Sequence, residues 1–356
     1  MSDRDNTSQR IGRLRQVLTG RANMLIVMQD NPDPDGIASA VALRRLAHDL
    51  GGTRCTLAHG GTVGRAENRE LVHYLDLPLH EFGEVEPDRF DLVALVDTQP
   101  GAGNNPLPAG RLPDIVVDHH PARRASRSAR FTDIRSGYGA TSTILWEYLL
   151  AAEITPDRPL ATALLYGIRS DTQDFDRDAT QADVRAVTAL YPLANLRMLG
   201  QIQRGRVPAT YYQMLTNGLA RARVYGRCVV SGLGDVANPD MIAEISDLLL
   251  RFEGADWSLC YGVHGGKALL SLRTQETRLA AGEVARKIVR RIGTGGGHQA
   301  MAAGQIPLRD PAGVQTHRRR IEGLIVQRFL DAVGIRRRKA RKLVRLPVPA
   351  AEAPHA

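Results

Sequence analysis

The amino-acid sequence predicts a two-domain α/β protein: a parallel sheet with helices on both faces in the N-terminal half, then a smaller α+β domain. Three observations carry this reading. The chain's 356 residues exceed one ordinary domain, at about 100–200 residues per domain. The first half alternates short, continuous apolar runs with segments apolar at helical spacing, the order of a βαβ sheet. From about residue 224 that order gives way to a second pattern of strands and helices. A composition of 43% hydrophobic and 24% charged residues excludes a disordered chain or a fibre. No apolar run reaches the roughly 18 residues that would span a bilayer.

In order, MLIVMQ (24–29) reads as a strand buried on both faces, followed by the turn NPDPDG and a helix at 39–50. TRCTLAH, a helix at about 66–76, LVALVD (92–97) and DIVVD (114–118) continue the alternation, and 140–153 and 161–171 are helical. The first domain is placed at 1–190. Residues 191–223, broken by Pro192, Gly205 and Pro208, are expected to be a helical connector. The second domain, 224–335, contains RVYGRCVVSGL, a helix at 240–252, DWSLCYGV, KALLSLRT, a helix at 279–291, GTGGGHQAMAAGQIP and a helix at 312–333.

Residues 336–356 hold seven Lys/Arg against one Glu, so +6 of the net +9 sits in this tail and the body is only mildly basic. The tail is expected to be disordered, serving either as a solubilising end or as a phosphate-backbone contact. The three cysteines, Cys55, Cys228 and Cys260, are far apart and form no CxxC pair, so neither a disulfide framework nor a zinc knuckle is expected. The polar N-terminus has no apolar signal region. Both features suit a reducing cytoplasm.

Ligands of parallel sheets bind just outside the carboxyl ends of the strands. Three predicted strands end there in acids: Asp33 and Asp35 after MLIVMQ, Asp97 after LVALV, and Asp118 after DIVV, with His119 and His120 next. Such a cluster repels itself, and divalent cations are the usual resolution. The bland readings are local: NPDPDG is rich in turn formers and Asp35 could cap the next helix. In VVDHHPARR, one imidazole suits a metal, Asp118 could orient that imidazole from behind, and the other imidazole could face substrate. Arg123 and Arg124 could grip phosphate or form a solvated loop. Asp171 closes the helical run at 161–171, and Gly295, Gly296 and Gly297 before His298 form either a flexible loop or a backbone nest for an anion.

In their order and spacing, NPDPDG, VDT, VDHH, GIRSDTQDF and GGGH resemble the DHH phosphoesterases with a C-terminal DHH-associated domain, over about residues 20–335. The oligoribonuclease and adenosine-bisphosphate phosphatase branch looks most similar, with the RecJ exonucleases more distant. The resemblance implies two Mn2+ ions, with Mg2+ or Co2+ as substitutes, held by Asp33, Asp35, Asp97, His119 and Asp171. It makes Asp97 the bridging ligand and puts His120 on the substrate phosphate. It also implies an active site in the cleft between the domains, where Arg273, Gly295, Gly296, Gly297 and His298 hold a terminal phosphate or base. The implied activity is hydrolysis of short single-stranded oligonucleotides or of nucleotides such as 3′-phosphoadenosine 5′-phosphate. A polyphosphatase, a cyclic-dinucleotide phosphodiesterase and a nucleotide-sensing module with an impaired metal site are the alternatives. The implied partners are short nucleic acid or nucleotide, with no membrane and a homodimer left open. One position departs from that branch, which has a histidine four residues before the first Asp; here it is Gln29. An amide oxygen is a poor substitute for imidazole on manganese, so a weaker first metal site or an altered preference is expected.

Overall fold

The computed structural model describes residues 3–176, 178–297, 299–308, 314–336 and 339–344. The chain divides into two compact units, Met1–Arg206 and Val207–Ala356. The first runs α1 (Asp3–Leu18), β1 (Asn23–Val27), α2 (Pro34–Gly51), β2 (Arg54–His59), α3 (Ala66–Tyr74), β3 (Leu79–Glu81), β4 (Leu92–Val96), β5 (Ile115–Asp118), β6 (Phe131–Ile134), α4 (Thr141–Ala151), α5 (Arg158–Asp171), α6 (Gln181–Leu190) and α7 (Leu196–Ile202).

Its six strands form an all-parallel sheet in the order β3-β2-β1-β4-β5-β6. The chain steps outward from β1 through β2 and β3, then lays β4 on the other side of β1. The order therefore reverses between β1 and β4, the position at which such sheets open a crevice for ligands.

Side chains alternate across the sheet. Met24 and Ile26 face the large core built with α1, α2, α4 and α5, whereas Leu25 and Val27 join Val93, Leu95 and Val116 on the other face. That second face packs against Phe82, Val85, Phe90 and Leu107, none of which lies in an α-helix. Helices on both faces were expected; the physical reason for the difference is that β3 joins β4, and β4 joins β5, without an α-helical crossover. The sequence pattern also gave no sign of α1, which is rich in charge but buries Ile11, Leu14 and Leu18.

The second unit runs α8 (Ala209–Arg221), β7 (Arg223–Tyr225), β8 (Cys228–Asp235), α9 (Asp240–Leu250), β9 (Trp257–His264), β10 (Lys267–Thr274), α10 (Ala281–Val289), β11 (Thr294–Gly297), β12 (Met301–Pro307), α11 (Val314–Ala332) and β13 (Arg341–Lys342). Its sheet has the order β11-β12-β10-β9-β8-β7-β13 and is antiparallel except between β8 and β9. The three cysteines carry free thiols. No helix among the described residues is long and apolar enough to cross a membrane.

Two expectations about boundaries change. Residues 191–223 are not a separate connector, because α7 buries Leu199 and Ile202 in the first core while Tyr211, Met214, Leu215 and Leu219 of α8 pack on the second. Part of the tail is ordered as well. Arg341 and Lys342 pair with β7, Leu343 packs on the α8–α9 core, and the Arg341 guanidinium lies 5.5 Å from the Phe252 ring centre. Residues 337–338 and 345–356 of that tail lie outside the described residues.

The glycine run forms a strand rather than a loop or nest: Gly295, Gly296 and Gly297 belong to β11 at the sheet edge, paired with β12. Gly297 has φ +154, and a Cβ there would lie 2.3 Å from the Met301 carbonyl oxygen. A Cβ on Gly282, at the start of α10, would lie 2.4 Å from the Gly297 oxygen. Backbone contacts of this kind cannot yield as a side chain can. Gly297→Ala is therefore expected to destabilise the protein by about 1–3 kcal/mol, read as a lower urea midpoint with an unchanged m-value. An unchanged midpoint would show that β11 does not pack this closely.

Candidate metal centre

The site is assembled within the first unit, at the carboxyl ends of β1, β4 and β5. The loop after β1 is tied down from both sides of the crevice. Asp30 N donates to Asn104 O at 2.7 Å, Gly61 N to Asp30 O at 2.5 Å, Thr62 N to Asn31 Oδ1 at 3.0 Å and Asn68 Nδ2 to Pro32 O at 3.0 Å. A Cβ at Gly61 would stand 2.6 Å from the Asp30 carbonyl oxygen, a backbone atom, so the approach of the two loops requires glycine there.

This fixed loop sets two carboxylates at the start of α2. Asp33, not Asp35, is the N-cap, with Oδ1 accepting from Gly36 N at 2.9 Å. Asp35 sits in the first turn, buried. Its Oδ2 accepts from Thr141 N at 2.7 Å and its Oδ1 from Ser142 N at 2.8 Å, the first amides of α4. Burial, reinforced by the charge of Asp171, still raises its pKa to about 6.

Asp97 follows β4 in the left-handed conformation, φ 58, which Asp tolerates better than most residues. Its Oδ1 accepts from Thr141 Oγ1 at 3.0 Å and its Oδ2 from Gln29 Nε2 at 3.3 Å. Burial first, then the charges of Asp35 and Asp33, holds its carboxyl well above the usual range. Burial and the charge of Asp171 also raise Asp33. A Cβ on Gly36 would lie 3.4 Å from Asp97 Oδ2 and 3.5 Å from Asp33 Oδ1, so these two carboxylates converge over a glycine.

The histidines have different supports. His119 Nδ1 lies 3.1 Å from the Tyr138 carbonyl oxygen, which makes Nδ1 the donor and turns Nε2 inward. Buried Nε2 has no hydrogen-bond partner, yet lies 3.0 Å from Asp171 Oδ2 and 3.6 Å from Asp97 Oδ1. Burial lowers the His119 pKa, but Asp171, Asp35 and Asp118 outweigh it and push it up to about 10. The surroundings favour positive charge here, whether on a proton or a cation. His120 Nδ1 lies 2.8 Å from Asp118 Oδ1, and Asp118 Oδ2 accepts from Gln99 Nε2 at 2.7 Å. Burial raises the Asp118 pKa, but the His120 hydrogen bond and the two histidine charges bring it below its ordinary value.

Asp118 therefore orients His120 and not, as one reading of the sequence had it, the ligating imidazole. The ligand atoms of Asp35, His119 and Asp171 lie within 4.8 Å of one another, as do those of Asp97, Asp118, His119 and His120. His119 belongs to both groups. Hard carboxylate oxygens around an inward-facing imidazole nitrogen fit a divalent cation of the manganese type.

The arginines divide. The Arg123 guanidinium is held by Gly101 O at 2.9 Å, and Arg124 is exposed on a 3₁₀ turn. In the second unit, Arg273 is buried, paired with Asp247 and bonded to Ser271 Oγ at 2.7 Å and Leu272 O at 2.9 Å. Its guanidinium is thus engaged inside its own domain, which argues against the phosphate contact expected of it. His298 lies outside the described residues.

Residues missed in the sequence include Gln99, which joins Asp118 to Arg123 N at 2.7 Å and Ser126 Oγ at 2.9 Å, and the supporting Thr141 and Ser142. Gln99 stands in the VDTQP motif and could have been found there; the α4 amides carry no side-chain signature. His59, buried at the end of β2 with Nδ1 lacking a partner, was also passed over.

Two family models match the chain, "DHH family, N-terminal domain" over residues 23–168 and "DHHA1 domain" over residues 225–326. An uncharacterised protein of Methanocaldococcus jannaschii is 33% identical over 322 residues, covering 89% of this chain and 65% of that protein. A probable manganese-dependent inorganic pyrophosphatase of Lactobacillus gasseri is 28% identical over 194 residues, covering 50% of this chain and 59% of that enzyme. The chain thus spans less than two thirds of the length of these curated relatives. Among solved structures, an exopolyphosphatase-related protein from Bacteroides fragilis has a TM-score of 0.66 at 12% identity, covering 91% of this chain and 98% of its own; the likeness is one of fold.

The buried Asp97 charge gives a test of the centre. Asn also tolerates the left-handed conformation, so Asp97→Asn removes the charge without a backbone penalty. In EDTA the variant is expected to melt higher than the wild type, at about 2–4 °C per kcal/mol recovered. In excess Mn2+ the wild type should gain about 2.7 kcal/mol at 100-fold over its dissociation constant, and the variant much less. Equal Mn2+ stabilisation of both proteins would remove Asp97 from the metal centre.

Proposed function

Because the chain belongs to the DHH family and carries a DHHA1 domain, we propose that it is a metal-dependent phosphoesterase acting on short single-stranded oligonucleotides or nucleotide phosphomonoesters. The observation that carries this reading is the pair of ligand groups sharing His119 at the β1–β4 switch point. Asp33, Asp35, Asp97, His119 and Asp171 would hold two Mn2+ ions. Bound there, such ions supply Lewis acidity toward a phosphoryl oxygen and lower the pKa of water.

The chain's own residues do the rest. The α4 amides fix Asp35, and Thr141 fixes Asp97, so the ligands are oriented before a cation arrives. Asp118 holds the His120 ring through Nδ1, which leaves Nε2 to donate to a non-bridging phosphate oxygen as charge builds on it. Gln99 keeps Asp118 in place and so keeps that donor aimed.

A second reading is cleavage of a phosphoanhydride, favoured by the likeness to the probable pyrophosphatase. A panel separates the two: dinucleotides, longer oligomers, 3′-phosphoadenosine 5′-phosphate, cyclic dinucleotides, pyrophosphate and polyphosphate, each with Mn2+. Turnover of dinucleotides or the bisphosphate above all others is the expected result. Pyrophosphate or polyphosphate as the best substrate would overturn it, and none turned over with fewer than two Mn2+ bound would favour a nucleotide sensor.

Gln29 gives a second expectation. It already reaches Asp97 through Nε2, so Gln29→His should place an imidazole at the centre and tighten one Mn2+ site. Calorimetric titration of both proteins checks this; unchanged affinities would place residue 29 outside the metal's reach.

A further inference from the structure

The C-terminal end of α10 carries a feature that the metal centre does not use. Val289–Ile292 forms a β-turn closed by Ile292 N donating to Val289 O at 3.0 Å. Arg290 has φ −50 and ψ 122, and Arg291 has φ 67, the angles of a type II turn. The third position of that turn favours glycine because φ is positive. An arginine there holds strained backbone, a condition that gathers at binding sites.

The same arginine lines two cavities. One, of about 570 Å³, is walled by Lys287, Arg290, Arg291 and Arg328, with Asp331 as its one acid. The other, of about 600 Å³, adds Lys267 and His317. Capping of the helix accounts for one of these cations: Arg328 Nη1 donates to Ile288 O at 2.6 Å and Arg290 O at 3.0 Å. Among the described residues, no ion pair is formed by Lys287, Arg290 or Arg291, all exposed. The turn lies at the opposite end of α10 from Gly282 and Gly297, about 13 Å away at 1.5 Å per helical residue.

We propose that this arginine turn and its two cavities form an exosite for the phosphate backbone of single-stranded nucleic acid, built from second-unit residues alone. Guanidinium forks pair with phosphate oxygens bidentately. Cations spread over two cavities that share Arg291 suit successive phosphates better than a single anion. Among the described residues no Phe, Tyr or Trp lines either cavity as a stacking platform, so the contact reads backbone and not sequence.

The test is equilibrium binding of the full chain in EDTA, independent of any hydrolysis, followed by fluorescence anisotropy. The probe is a labelled oligoadenylate of about twenty nucleotides, titrated between about 50 and 200 mM salt. Arg291→Gly should raise the melting temperature, because glycine relaxes the turn, while weakening the oligomer by about threefold or more. Each lost phosphate contact should take about 0.7 from the log–log salt slope. Adding Lys287→Ser and Arg290→Ser should weaken binding further, with Mn2+-dependent turnover of the best small substrate unchanged. Unchanged oligomer affinity in the triple variant, or a lower melting temperature for Arg291→Gly, would overturn the proposal. Displacement of the probe by inorganic polyphosphate at lower phosphate concentration than by unlabelled oligoadenylate would overturn nucleic acid as the source of the phosphates.

Discussion

Asp35 takes the first two amides of α4 while Asp97 takes the Thr141 hydroxyl from the same helix end. The first unit depends on this junction. Buried carboxylates repel one another and resist ionisation, as the raised pKa values of Asp33, Asp35 and Asp97 record. The positive end of a helix is one of the few neutral structures that can stand against such charge. Placing it there fixes where α4 begins. Asp183 then ties that approach down from α6, accepting from Gly139 N at 2.9 Å and Thr143 Oγ1 at 2.5 Å. The helical layer is thus positioned by the site as much as the site is by the sheet.

The two histidines, adjacent in sequence, are separated by their supports. A carbonyl behind His119 leaves its inner nitrogen as a ligand and adds no charge, whereas the carboxylate behind His120 takes up Nδ1 and leaves Nε2 as the donor. One neighbour therefore suits a cation and the other suits an anion, and the ring centres are only 4.4 Å apart. The tether Gln99–Asp118–His120 gives the second ring a support of its own, separate from the Tyr138 carbonyl behind the first.

How much of this was legible follows from where information sits in a chain. Asp33, Asp35, Asp97, Asp118, His119 and His120 could be placed because each directly follows an apolar run, and parallel topology takes every such end to one edge. What could not be read was carried by backbone groups. The Tyr138 carbonyl and the Thr141 and Ser142 amides support the site from more than a hundred residues beyond Asp35 or from across the sheet, with nothing in residue type to mark them. Arg273 and the glycine run misled for a related reason. Their composition suits an anion site, but packing had already assigned the guanidinium to Asp247 and the glycines to an edge strand. The tail misled through its charge: a pair of hydrogen-bonding residues and Leu343 were enough to order a segment whose composition reads as disordered.

Gln29 is the position at which sequence and geometry bear on each other most directly. A neutral amide carries both a donor and an acceptor on one short plane. Facing Asp97, its nitrogen donates, which eases the charge of the most strongly perturbed carboxylate in the cluster. Facing a cation, the same group would have to turn its oxygen inward and surrender that hydrogen bond. An imidazole at this position would instead offer a ring nitrogen, with its tautomer set by whatever stood behind it. Gln29 therefore favours the protein without metal relative to the protein with it. The remaining ligands, already held by α4 and by the Tyr138 carbonyl, must supply the difference.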